Sequence, residues 1–198
     1  MSTQVNIPGY DAGTWVIDSA RSEVAFHVRM LGFMKSRGTF DDFEGTIVIA
    51  ANPLDSSVNA VIRSASVNTK NKKRDQDIQH AGYLNVEQYP TITFNSTGVR
   101  ADGDDFLVDG DLTALAVTKQ VTLRLAAKGS ETGTDGQPVA RFTADTQLSN
   151  KELGVTKGSS FINDTTTVVL EIVATKQAAA APAAAVPDEA ALGEAEQA

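Results

Sequence analysis

Apolar and polar residues alternate along most of this sequence, in short runs with a period of two. In residues 24–29, Val24, Phe26 and Val28 fall on one side of an extended chain, and His27 and Arg29 fall on the other. This pattern is typical of β-strands that bury one face. The eight runs with this β-type pattern cover residues 24–29, 46–49, 58–63, 91–96, 106–112, 121–125, 140–145 and 168–173.

Turn-forming residues separate these runs, and their spacing suits antiparallel hairpins. The turn candidates are Asn52-Pro53, Asp102-Gly103-Asp104, residues 129–136 and Asn163-Asp164. We therefore predict an all-β fold with an antiparallel sheet of about eight strands. Strands with one apolar face must bury it, and a sandwich or a closed barrel would both do so. The alternation alone does not choose between them.

Two stretches lack the alternation, and they account for the one or two short helices that we predict beside the sheet. Residues 30–35 are apolar without a period of two, which favours a short helix or a lid loop. Residues 72–82 are rich in charged and amide side chains, and Gly82 is a typical helix terminator.

The two ends of the chain differ from the region between them. We interpret residues 1–13 as a lead-in and residues 14–176 as a single all-β domain. Residues 177–198 are mostly alanine, proline and acidic residues, with almost no large apolar side chain to bury. Such a composition does not offset the entropy cost of ordering, so we predict a flexible tail.

Charge and composition exclude several classes of function. The chain carries 17 basic and 25 acidic residues, and this net-acidic balance argues against a nucleic-acid-binding surface. There is no cysteine, which excludes disulfides and cysteine chemistry. The basic cluster at residues 70–74 is followed at once by Asp75 and Asp77, so we interpret it as a solvated helix start.

No pattern in the sequence predicts a catalytic or metal site, and none calls for a cofactor. The two histidines are His27, on the polar face of a strand, and His80, which has no second histidine at helical spacing. No run of apolar residues is long enough to span a membrane as a helix. Because the first residues have neither a basic start nor an apolar core, they do not look like a signal peptide, and we expect a cytoplasmic protein. An exported chain that has lost its signal would read the same way.

Between residues 14 and 176 the sequence resembles the YceI family. The resemblance rests on the order and spacing of short motifs, each weak alone. They are Trp15-Val16-Ile17-Asp18, residues 22–28, Gly38-Thr39-Phe40, Phe43-Glu44-Gly45, residues 66–69 before Arg74-Asp75, residues 89–94, and residues 110–113 before residues 117–123.

The resemblance implies a lipocalin-like barrel that binds a polyisoprenoid or a similar amphiphilic lipid. Trp15 is then expected to plug one end of the barrel, and Met30, Leu31, Phe33 and Met34 to form its mouth or a movable lid. A transient membrane contact and a homodimer are compatible with this picture. The residues expected to contact the ligand are Val24, Phe26, Val28, Met30, Leu31, Phe33, Ile92, Phe94, Phe106, Val108, Leu112, Leu123, Phe142 and Leu148.

The same inward residues would form an ordinary core if the barrel were filled. Three functions therefore stay open at this point: a carrier, store or sequestering protein for the lipid; an enzyme that modifies it; and a stress-related domain with no ligand. The volume of the interior separates the first from the third, because a small barrel either fills its interior with side chains or holds one ligand.

Overall fold

The computed structural model describes residues 10–31, 34–133, 136–157 and 162–177. Its only α-helix within these ranges is α1 (Lys72–Gln79), and two 3-10 turns cover Pro53–Asp55 and Ser64–Ser66. The remaining elements are strands β1 (Gly13–Ile17), β2 (Glu23–Met30), β3 (Met34–Phe40), β4 (Phe43–Ile49), β5 (Ser57–Arg63), β6 (Val67–Asn68), β7 (Thr91–Asp102), β8 (Asp105–Ala114), β9 (Val117–Thr132), β10 (Pro138–Ser149) and β11 (Ile162–Lys176).

The sheet closes on itself because β11 pairs with β10 on one edge and with both β1 and β2 on the other. β1 takes the Lys176 end of β11, and β2 takes the Ile162 end. β4 then pairs with β1 and β3 with β2, and in the next position β5 pairs with β4 and β6 with β3. Together with β7 to β10 this gives a closed antiparallel barrel of eight strand positions, as predicted.

The alternation in the sequence becomes the inside and outside of this barrel. Phe106 and Val108 of β8 are buried, whereas Leu107 and Asp109, which alternate with them, are partly exposed. On the outer face Arg100 pairs with Asp109, and Arg63 with Glu44. Along these strands the inner face is therefore apolar, and the charged side chains lie on the outer face.

Some local predictions differ from the structure. Met30 and Met34 are paired at the end of the β2–β3 hairpin and so belong to strands, not to a helix or a lid loop, while residues 32 and 33 lie outside the described residues. The turn predicted at residues 129–136 is shorter than expected, because β9 continues to Thr132 and the Gly133 N–H donates to the Gln137 carbonyl only after it. Asn163 and Asp164 lie within β11, at an irregularity in its pairing with β2, rather than in a turn.

α1 lies where β6 ends, and it begins as the sequence predicts. The Asn71 side chain caps it by accepting a hydrogen bond from the backbone N–H of Arg74 at 3.1 Å. The chain after α1 reaches the β10–β11 connection, where the backbone N–H groups of Thr156 and Lys157 both donate to the carbonyl of Gly82 at 2.9 Å. The α1 segment is thus fastened to the part of the barrel where β10 ends.

Candidate functional site

The barrel encloses a cavity of about 710 Å³. Its wall includes side chains from every strand position. Along β11 alone the wall extends from Ile162 to Ile172, which is roughly 33 Å of extended chain. A volume of this size falls within the range of small-molecule and cofactor sites.

Most of the residues predicted to contact a ligand lie in this wall. Leu31 does not line the cavity, because its side chain is turned outward. Val108 is buried on the same face of β8 as Phe106, opposite Val99 and Leu123 on the adjacent strands, and does not line the cavity either. Phe33 lies outside the described residues. The predicted residues that do line the cavity are Val24, Phe26, Val28, Met30, Ile92, Phe94, Phe106, Leu112, Leu123, Phe142 and Leu148.

Trp15 lies at one end of the cavity, which we call the Trp15 end. Its side chain is fully buried and packs with Ala140 and Ala174. Its indole N–H donates to the carbonyl of Asp11 at 3.2 Å. The carboxylate of Asp11 in turn accepts from the Lys176 ammonium group. The polar groups around Trp15 are therefore paired with one another.

Tyr10 also lines the Trp15 end, and its hydroxyl donates to the carbonyl of Ala50. Burial raises the pKa of Tyr10, against a smaller opposing effect from a hydrogen bond with Ser56. The phenol therefore stays neutral over the physiological pH range. Together with the pairing of Lys176 and Asp11, this leaves the Trp15 end with polar groups but without an unpaired charge among these residues.

The other polar part of the wall is formed by α1 and the residues before it, and we call it the α1 end. Buried Thr69 is its centre, since its backbone N–H and its hydroxyl both donate to the Asp75 carboxylate, at 2.8 and 2.6 Å. Arg74 donates from Nε to the Thr69 hydroxyl at 2.7 Å and from Nη2 to the Thr69 carbonyl at 2.8 Å. These bonds hold a cation in the cavity wall.

Arg74 forms no salt bridge with any other residue that the structure describes. The same is true of exposed Lys73, which also lines the α1 end, and the nearest acid in the wall is Asp77. Asn71 and Tyr83 add further hydrogen-bonding groups. The α1 end therefore presents a cation with available N–H groups. At the Trp15 end, Trp15 and Lys176 already donate to Asp11, and Tyr10 donates to Ala50.

Sequence reasoning missed the α1 end. The signal for it was the basic cluster at residues 70–74, which we interpreted as a solvated helix start, and Lys70 and Lys72 are indeed exposed. Lys73 and Arg74 belong to the cavity wall because α1 lies across it, which no local pattern reveals.

The described ranges contain neither a metal-binding cluster nor a membrane-spanning helix. No group of three or more histidine, aspartate or glutamate side chains is arranged to hold a metal ion among these residues. None of the helices in the described part of the chain is long and apolar enough to cross a membrane.

Comparison with known proteins places this architecture among similar domains. The family model of the YceI-like domain matches residues 15–174. Protein YceI of Escherichia coli O157:H7 is 38% identical over 133 residues, which are 67% of this chain and 70% of that protein. Protein YceI of Salmonella paratyphi B is 37% identical over 134 residues, with the same two shares.

Two solved structures share the fold at low sequence identity. Burkholderia cenocepacia BcnA superimposes with a TM-score of 0.72 at 20% identity, over 79% of this chain and 98% of that one. A polyisoprenoid binding domain from Saccharophagus degradans superimposes with a TM-score of 0.63 at 17% identity, over 84% of this chain and 100% of that one.

Proposed function

Because the chain belongs to the YceI-like domain family, we propose that it binds a polyisoprenoid or a similar amphiphilic lipid inside its barrel. Its role would be that of a carrier, store or sequestering protein. The observation that carries this proposal is the apolar cavity of about 710 Å³, which a filled barrel would lack. The polyisoprenoid binding domain of similar fold supports the choice of ligand class. We assign no catalytic residue.

The volume limits how much of the ligand fits inside. If each methylene-sized group takes about the 30 Å³ of a water molecule, the cavity accommodates roughly 20–25 non-hydrogen atoms. A longer polyisoprenoid would need the cavity to widen, or would leave part of its chain outside.

The energetics assign the cavity a selective role. Moving a buried CH₂ group from water into the barrel is favourable by about 0.8 kcal/mol, but a polyisoprenoid leaving a bilayer starts from surroundings that are equally apolar. Transfer from membrane to barrel is therefore close to neutral for the chain. Cavity length and the polar groups at its ends must then select the ligand.

The polar end of the ligand is expected at the α1 end. Arg74 is held there by Thr69 with further N–H groups free. The cation of the Trp15 end, Lys176, is instead paired with Asp11, and the Trp15 and Tyr10 donors are engaged with Asp11 and Ala50. The apolar chain would then run towards Trp15. A hydroxyl, carbonyl or anionic group could accept hydrogen bonds from Arg74.

The test is a titration of delipidated protein with geranylgeraniol, a prenol of about the size that the cavity admits, followed by calorimetry. We expect saturable binding at one ligand per chain. Ala144→Phe adds a ring to the cavity wall and should weaken this binding, while a shorter prenol such as geraniol should be less affected.

The matched control is Thr143→Phe, which adds the same ring at the adjacent position of β10, outside the cavity wall. It should bind geranylgeraniol as the parent protein does. Absence of binding in the parent protein, or equal loss in both variants, would count against a ligand in the barrel. A cytoplasmic location and a homodimer stay predictions.

A further inference from the structure

Large apolar side chains are exposed at the turn of the β2–β3 hairpin. Leu31 is 59% exposed and Met34 is 51% exposed, the two highest values among the large hydrophobic residues that the structure describes. They flank the end of a hairpin whose Met30 lines the cavity. The hairpin thus exposes apolar surface to water beside the wall of the cavity.

The backbone conformation of Leu31 is also unfavourable. Leu31 has φ of 50°, in the left-handed region where glycine and asparagine are favoured and a leucine is strained. A residue that is both strained and exposed contributes nothing evident to the stability of the fold. Leucine at this position therefore points to a role in binding.

The charges next to it are also unfavourable for folding alone. Arg29 of β2 lies directly opposite Lys35 of β3, and both are exposed. Neither forms an ion pair with another described residue. Like charges directly opposite each other across two strands repel. The two cations stay unpaired here although the chain as a whole is acidic, with a net charge of −8.

We propose that Arg29, Leu31, Met34 and Lys35 form a docking surface for a bilayer that contains anionic lipid, and that ligand passes between bilayer and barrel from this end. The proposal rests on the proposed function, which supplies the reason for docking. Leu31 and Met34 would enter the apolar boundary of the bilayer, and anionic head groups would neutralise Arg29 and Lys35.

Charge favours a bilayer over a second copy of the chain. A symmetric dimer places the same surface on both partners, so that Arg29 and Lys35 of one copy would meet Arg29 and Lys35 of the other. An anionic lipid surface is complementary to these two cations instead. It also accepts the exposed apolar side chains between them.

The experiment is co-sedimentation with vesicles of phosphatidylcholine, either alone or mixed with phosphatidylglycerol. We expect binding to the mixed vesicles and much weaker binding to the neutral ones. Lys35→Gln should weaken binding to mixed vesicles about fivefold, and Arg29→Gln together with Lys35→Gln more strongly. Lys128→Gln removes an exposed lysine from β9 and serves as the control that should change little.

Leu31→Asn tests the apolar part. Asparagine suits the left-handed backbone, so the variant should fold at least as stably as the parent, yet bind mixed vesicles about tenfold more weakly. Leu54→Asn removes another exposed leucine, in the Pro53–Asp55 turn, and should bind normally.

The proposal would be overturned if the protein bound both kinds of vesicle equally and none of these variants changed the binding. So would self-association on sedimentation that Leu31→Asn abolishes, because the surface would then join two copies. Titration with geranylgeraniol without vesicles separates this proposal from the proposed function. Normal prenol uptake without vesicle binding would refute docking alone. Vesicle binding without prenol uptake would support docking and refute the proposed binding of a lipid in the barrel.

Discussion

The aromatic ring of Phe26 lies over Gly38 on the neighbouring strand, in the space that a side chain at position 38 would occupy. Phe94 covers Gly110 in the same way across β7 and β8. In both places a glycine lets a cavity-lining ring lie against the sheet. The two rings therefore form part of the wall and leave the centre of the barrel open.

Gly38→Ala should displace the Phe26 ring, because a Cβ at position 38 would overlap it. We expect a loss of about 1–3 kcal/mol in the free energy of unfolding and weaker uptake of geranylgeraniol, since the ring can move only towards the cavity or its neighbours. Urea denaturation and calorimetry measure the two effects. Gly98→Ala is the control: no atom lies within 4 Å of a Cβ there, so it should change stability by less than about 0.5 kcal/mol.

Trp15 is expected to act as a plug rather than as a ligand contact. Trp15→Ala should lower the free energy of unfolding by about 3–5 kcal/mol, because the indole is fully buried against Ala140 and Ala174. Trp15→Phe should cost less and leave prenol affinity nearly unchanged. A Trp15→Phe protein of normal stability that no longer binds prenol would show that the indole contacts the ligand.

Asp109 makes stability depend on pH in the acid range. Two hydrogen bonds from Arg100, at 2.7 and 2.9 Å, and one from Thr122 lower its pKa from 3.8 to about 2. A carboxyl whose pKa is lower in the folded state stabilises the fold above pH 3.8, and this contribution is lost as the pH falls through about 2.

Asp109→Asn should therefore be less stable than the parent protein at pH 7, and the difference should vanish between about pH 4 and pH 2. Urea denaturation at a series of pH values measures it. Asp145→Asn provides the comparison, because the Asp145 carboxylate is exposed and forms no hydrogen bond or ion pair with another described residue. A difference for Asp109→Asn that persists at pH 2 would contradict the assignment.

Arg74 should distinguish ligands by their polar ends. Arg74→Gln should lower affinity for geranylgeranyl phosphate about tenfold or more while changing affinity for geranylgeraniol less, because a hydrogen bond to a charged group is the stronger one. The ratio of the two affinities is the readout, since Arg74 also supports Thr69 and the variant could lose some stability. Lys72→Gln, at an exposed position of α1 outside the cavity wall, should leave the ratio unchanged.

The strands could be predicted from the sequence because the barrel buries one face of each of them. Phe26, Phe94 and Phe142 face the cavity as their alternation requires. The hairpin at residues 30–35 could not be predicted, since Leu31 and Met34 stay exposed although they are apolar. Asn163 and Gly129 are residue types typical of turns, but they lie in strands with irregular pairing. There the hydrogen bonding to long adjacent strands outweighs the turn preference of the single residue.

The polar end of the site depends on contacts between distant segments. Arg74 joins the cavity wall because Thr69 holds it and because the Gly82 carbonyl fastens the α1 segment to the β10–β11 connection. A basic cluster in the sequence carries no information about either contact. Val108 shows the converse, because it is buried on the inner face as predicted but does not line the cavity.

The central claim is that the barrel carries a lipid, and native mass spectrometry of the protein purified from its own organism tests it most directly, followed by analysis of the solvent extract. We predict one bound molecule per chain, which organic solvent removes and which is identified as a polyisoprenoid or similar amphiphile. The bound fraction should be lower in Ala144→Phe but not in Thr143→Phe. A protein of bare chain mass, whose delipidated form also takes up no prenol or prenylquinone, would contradict it.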